Sequence, residues 1–323
     1  MTLLQQNKKS ILKFTLSLTL SLIFVYLTVS KVNINESIHS LEKINYFFLI
    51  PAIFVHMVGF FIRTRKWQIL VEQIKVVKYF ELYKILVIGF MFNNILPFRL
   101  GEFIRCHLLG KDLQISRSGV LGTIFIEKLS DAIALILIIL LFSILFVQTG
   151  NLSQNLPMVA LVIIILIIIM IFSIVYEKKI IQLLEKLQSH FKIRFIFNLL
   201  TSFISGLKTV KSPSTLFKIG LYSLLIWIFE AIPYYIISLA FNFNLNFLQL
   251  LLVCSIVNLG LLIPSSPGYI GTFHFFCVLV LVALGISQNT ALSFAIIIHL
   301  VLFIPITLIG ITFFLRRKKD ITT

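Results

Sequence analysis

The chain has 323 residues, 59% of them apolar and only 12% charged, with a mean hydropathy of +1.04. Soluble domains carry about 45–50% apolar and about 25% charged residues. A water-soluble enzyme, a secreted disulfide scaffold and a disordered chain are therefore excluded, and the expected fold class is an all-α polytopic integral membrane helical bundle. The net charge of +16 follows the two sides of a membrane along the chain, so no nucleic-acid partner is expected.

A helix needs about 20 apolar residues to cross the hydrocarbon. Candidate spans fall near residues 11–30, 45–62, 120–147, 157–176, 216–241 and 291–315. The first follows Lys8, Lys9 and Lys13 as a signal peptide would. Val25 to Ser30 lacks a small-residue cleavage pattern, so an uncleaved span is expected. Lysine and arginine then set the orientation. The basic start is cytoplasmic, the loop 31–44 lies outside, and the segment bearing Arg63, Arg65, Lys66, Lys75, Lys78 and Lys84 lies inside. The region at about 85–110 is apolar but broken at Pro97 and Gly101, and basic on both flanks. It is expected to dip in from the cytoplasm and return.

The uncharged loop 148–156 belongs outside. Residues 177–215 read as a cytoplasmic amphipathic segment, with Ile180, Ile181, Leu184 and Leu187 at helical spacing beside Lys178, Lys179 and Lys186. Loops 242–246 and 286–290 carry no charge, so the second broken region, about 247–285, enters from the outer face. The Arg316 to Lys319 tail is inside. The expected organisation is one domain over residues 1–323, with six full spans, two oppositely oriented re-entrant hairpins and both termini cytoplasmic at the cell membrane. Eight or more full spans is the alternative.

Cys106, Cys254 and Cys277 are scattered, as are the six histidines, and the only aspartates are Asp112, Asp131 and Asp320. Neither a disulfide framework, a zinc site nor a cation-binding carboxylate cluster is spelled out. No metal, cofactor or nucleotide site is expected, and the chain is not expected to be an enzyme.

Polar groups concentrate where lipid should be. Irregular backbone at membrane depth is tolerated only when buried in protein or lining a wet cavity. Paired broken segments from opposite sides are a recurring way to build a midplane binding site; helix kinking in a packed bundle is the plainer reading. The first cluster holds Asn93, Asn94, Pro97, Arg99, Gly101, Glu102 and Arg105. Glu102 and Arg105 stand three apart, close enough to pair on a helix. Arg99 or Arg105 suits a phosphate, since guanidinium is a planar multidentate donor; snorkelling to the interface is the alternative. The second cluster is Glu127, Lys128 and Asp131 at the cytoplasmic start of an apolar run. Intramembrane charges should face the bundle and pair, with the arginines of the first cluster as partners, either as a structural lock or around a substrate. The third is Pro264, Pro267, Gly268, Gly271 and His274, a turn whose amides can point at an anion. Glu230, deep in a span, joins the candidates.

Asn93 to Arg105, Glu127-Lys128-x-x-Asp131 and Pro264-x-x-Pro267-Gly268-x-x-Gly271-Thr272-x-His274 together resemble the flippase-like membrane family that includes the transmembrane region of lysyl-phosphatidylglycerol synthases. Lys128 stands where that family usually has arginine, and His274 where another branch is acidic. The resemblance implies a helical membrane domain that moves a lipid headgroup between leaflets. The aminoacyl-transferase domain of the full-length synthases has no counterpart in these residues, so a stand-alone member is expected. The expected function is translocation of a phospholipid or polyprenyl-phosphate headgroup, with membrane lipids as partners and a homo-oligomer or a lipid enzyme as further possibilities. A non-transporting accessory protein and a polyprenyl-phosphate-dependent enzyme are the rivals.

Overall fold

The computed structural model describes residues 18–30, 32–146, 212–263 and 265–322. Every regular element among them is helical. In chain order they are α1 (Leu18–Val29), α2 (Ile34–Glu42), a 3-10 turn at Tyr46–Phe48, α3 (Leu49–Val71), α4 (Tyr79–Ile95), a 3-10 turn at Pro97–Arg99, α5 (Gly101–Leu113), α6 (Arg117–Phe146), α7 (Pro213–Ala240), α8 (Phe247–Gly260), a 3-10 turn at Pro267–Tyr269, α9 (Thr272–Ala283) and α10 (Gln288–Thr322). Tyr46–Val71, Pro213–Ala240 and Gln288–Arg317 are long and apolar enough to cross a bilayer. The protein is a multi-pass membrane helical bundle.

Several boundaries differ from the expectation for identifiable reasons. Residues 31–44 were expected to be a loop, yet α2 forms there behind an Asn33 cap whose side chain accepts from the Asn35 amide. α1 and α2 meet at a bend of 80°. The second span does not end at 62. α3 runs to Val71, because the stripe Phe60, Thr64, Trp67, Leu70 and Val71 stays buried past the first basic residues and keeps helical spacing. The span at 157–176 and nearly all of the amphipathic segment at 177–215 lie outside the described residues, as does Pro264.

The two expected breaks occur where proline and glycine predict them. Leu96 leaves α4 in an extended conformation and Pro97 opens the following turn, since proline disfavours helix at the residue before it. α8 begins with a capping box between Asn246 and Gln249 and ends at Gly260; Gly268 and Gly271 then take φ of +70° and +89°, which glycine adopts without steric cost.

The chain folds as two compact units. The first takes in residues up to Gly59, Val87–Gly101 and Ile228 onwards; the second comprises Phe60–Leu86 and Glu102–Trp227. In the first unit α9 packs on both α8 and α10, α10 packs on α2, and the turn after α4 meets the turn after α8. α10 approaches α4 so closely that a Cβ at Gly310 would collide with Met91. The second unit has a small apolar core of Leu70, Ile126 and Ile219.

Candidate functional site

In the first unit, the tips of the two broken segments form a pocket of about 130 Å³ walled by Leu96, Arg99, Leu261, Ser265, Ser266 and Tyr269, among others. Each tip carries a non-glycine residue with positive φ: Arg99 at +52° and Tyr269 at +56°. That conformation is uncommon for side-chain-bearing residues and concentrates at functional sites. The two strained residues face each other, with the Arg99 guanidinium 5.8 Å from the Tyr269 ring centre. Arg99 donates one bond to the Leu261 carbonyl at 3.0 Å, while its buried Nε has no hydrogen-bond partner among the described residues. The guanidinium thus keeps donor capacity beside a cavity roomy enough for several waters. Around it, the Ser266 amide donates to Ser21 Oγ at 2.7 Å, and Asn94 donates to Thr307 at 2.8 Å. A Cβ at Gly101 would collide with the Gly89 carbonyl, so only glycine lets α5 start so close to α4.

The second unit holds a buried ionic cluster. Arg105 is fully buried and donates to both carboxylate oxygens of the equally buried Glu127, at 2.7 and 3.4 Å. Its guanidinium lies 4.0 Å from the Trp67 ring centre. Lys66 meets Asp131 at 2.6 Å and the Glu127 carbonyl at 3.0 Å. Arg63 stands 3.6 Å from the other Asp131 oxygen, and Lys128 lies 3.7 Å from Glu102 and 3.6 Å from Glu127. The charges are matched by geometry, as desolvated ions require.

A family profile described as lysylphosphatidylglycerol synthase TM region matches residues 14–310. The chain belongs to this family. A UPF0104 membrane protein of Methanocaldococcus jannaschii is 28% identical over 231 residues, covering 71% of this chain and 95% of that protein. A UPF0104 membrane protein of Methanothermobacter thermautotrophicus is 21% identical over 290 residues, covering 84% of this chain and 86% of that protein.

The family motifs distribute over both units. Asn94, Arg99, Pro267 and Gly268 gather at the two tips, where a Cβ on Gly268 would stand 3.6 Å from the Asn94 carbonyl. Glu102, Arg105, Glu127, Lys128 and Asp131 gather in the ionic cluster. The expected pairing of Glu102 with Arg105 does not occur, because the buried Glu127 takes the two-pronged guanidinium and leaves Glu102 to Lys128. Arg105 is neither a snorkelling anchor nor open to a ligand through that fork. His274 packs edge-on against His299, ring centres 4.9 Å apart. Asn93 is buried, with its side-chain oxygen close to the point a Cβ on Gly101 would occupy.

Several contributors were not singled out from the sequence, among them Tyr269, Arg63, Lys66, Trp67 and His299. Arg63 and Lys66 counted only as cytoplasmic-side charge. The signal that places them inside was the continuing apolar stripe on α3, with Trp67 and Leu70 beyond them.

Proposed function

We propose that this protein binds the phosphate-bearing headgroup of a membrane lipid and moves it between leaflets. One observation carries this reading: two broken helices bring Arg99 and Tyr269, both backbone-strained, to a shared, largely apolar-walled pocket in which the guanidinium has unused donor capacity. Arginine suits a phosphate because its fork matches the anion's oxygens. Ser265 and Ser266 add short hydroxyls to the same wall. The acyl chains stay in lipid while only the headgroup enters the protein. A phospholipid and a polyprenyl phosphate share this chemistry, and membership of a family described by lysylphosphatidylglycerol synthase supports a lipid.

The enzyme alternative needs an available carboxylate. Glu127 and Asp131 are buried in ion pairs, and Glu102, the third candidate, lies 3.7 Å from Lys128, which favours transport over catalysis. The cytoplasmic placement of both termini at the cell membrane, and re-entry of the broken segments from opposite faces, belong to this proposal. They rest on the lysine and arginine bias of the flanking segments.

Headgroup movement in proteoliposomes tests the reading, with labelled phospholipid and labelled polyprenyl phosphate in separate arms. Arg99→Ala should abolish movement in whichever arm the wild type supports while the protein still folds. Arg105→Ala is uninformative, since it strips Glu127 of its partner. Equal rates for wild type and Arg99→Ala would remove the site, and absence of wild-type movement in both arms would remove the function.

A further inference from the structure

His56, near the apolar start of α3, bridges two other helices of its unit. Its Nε2 lies 3.1 Å from the Leu302 carbonyl of α10, and its Nδ1 lies 3.2 Å from Glu230 Oε1 of α7. The two side chains are only 4% and 13% exposed. A carbonyl can only accept, so Nε2 carries hydrogen. The remaining nitrogen and the carboxyl oxygen then bond only when one of them holds a proton. Imidazolium facing carboxylate and imidazole facing carboxylic acid contain the same proton and the same zero net charge. Take that proton away, and a lone pair meets a carboxylate in a nearly dry site, which is repulsive.

Both partners of His56 sit at weakened turns. Pro233 follows Glu230 by three residues and Pro305 follows Leu302 by three. A proline supplies no N–H to the carbonyl four residues earlier and crowds it. The affected carbonyls are those of Phe229 and Val301, each immediately before a residue that His56 grips. Proline sites are where helices bend, so the imidazole ties together the two bendable turns.

The other titratable groups around the pair come from each neighbouring helix. Tyr234, four residues along α7, lies within electrostatic reach of Glu230 and of the Cys254 and Cys277 thiols on α8 and α9. His299, one turn before Leu302 on α10, packs against Phe273 and His274 of α9. On α3 itself, a Cβ at Gly59 would stand 3.9 Å from Glu230 Oε2. Arg63, two turns beyond His56, faces Asp131.

We propose that His56 and Glu230 form a proton-binding site whose filling closes a clamp between α7 and α10, linking headgroup movement to proton uptake. One proton enters from water, the pair goes from net −1 to neutral, and the proton leaves when the clamp opens. The proton site stands on its own geometry; its link to movement rests on the translocation reading above.

The test uses the full chain in proteoliposomes, read by infrared difference spectra over a pH series and by headgroup movement over the same series. A pH-driven band should be present in wild type and absent from both Glu230→Gln and His56→Asn, whichever partner holds the proton. Movement in the wild type should change with pH by up to about tenfold per unit, the limit for one proton, and this dependence should flatten in Glu230→Gln. His56→Asn repeats the reading on a second background. A band that survives both substitutions, or equal pH dependence in wild type and Glu230→Gln, overturns the proposal. An intact band with no wild-type movement at any pH overturns the translocation reading and supports the proton site.

Discussion

Arg99 and Arg105 are six residues apart and chemically identical, yet their surroundings differ. Each keeps a buried Nε without a hydrogen-bond partner among the described residues, but Arg105 spends its fork on the fully buried Glu127 and its face on Trp67, whereas Arg99 stands beside a pocket. Removing one partner of a buried pair leaves an uncompensated charge, a loss of about 3–5 kcal/mol. Arg105→Ala should therefore lower thermal stability in detergent sharply. Arg99→Ala should cost less, about 1.5–3 kcal/mol, the scale of one charged hydrogen bond. Equal losses in the two melting curves would contradict this division. At Glu127, glutamine retains the shape but not the charge, so Glu127→Gln should also destabilise by leaving Arg105 buried and unmatched.

Element boundaries depend on a few local devices that can be tested one at a time. α8 starts at a reciprocal Asn246–Gln249 box, and caps of this kind contribute about 1 kcal/mol. Asn246→Ala should reduce stability by that amount without touching the tip residues. Gly101 is a different case. Any side chain there meets the Gly89 carbonyl and Asn93, and overpacking against backbone typically costs about 1–3 kcal/mol. Gly101→Ala should both destabilise the protein and displace the Pro97–Arg99 turn, so headgroup movement should fall with it. Retained stability and movement in that variant would show that α5 can slide away from α4. The elements themselves were largely legible beforehand, since proline, glycine and apolar length mark the breaks after α4 and α8 and the long α7 and α10. The end of α3 was not, because a run of arginine and lysine read as surface charge when three-dimensional partners made it interior.

For the whole molecule, orientation is the outstanding physical claim, and the buried native thiols make it accessible. Cys106, Cys254 and Cys277 are all buried, so single cysteines added elsewhere should label over a low background. A cysteine at Asn244 or Gln288 should react with an impermeant reagent from outside, and one at Lys75 or Gln114 only after the membrane is opened. The reverse pattern would invert the orientation drawn from the basic residues. Composition, periodicity and the placing of proline and glycine determined that this chain lives in a membrane, that it is helical, that it breaks at Pro97–Gly101 and around Pro267–Gly271, and that charge accumulates beside the first of those breaks. Those are properties of the chain's own solvation and backbone, readable one residue at a time. That a first-cluster arginine meets the second-cluster carboxylates was expected, but that Lys66 and Arg63 take Asp131, and that His56 reaches Glu230 across 174 positions of sequence, only the packing decided. A buried charge takes whichever complementary group the fold carries to it, and that choice is made between helices rather than along them.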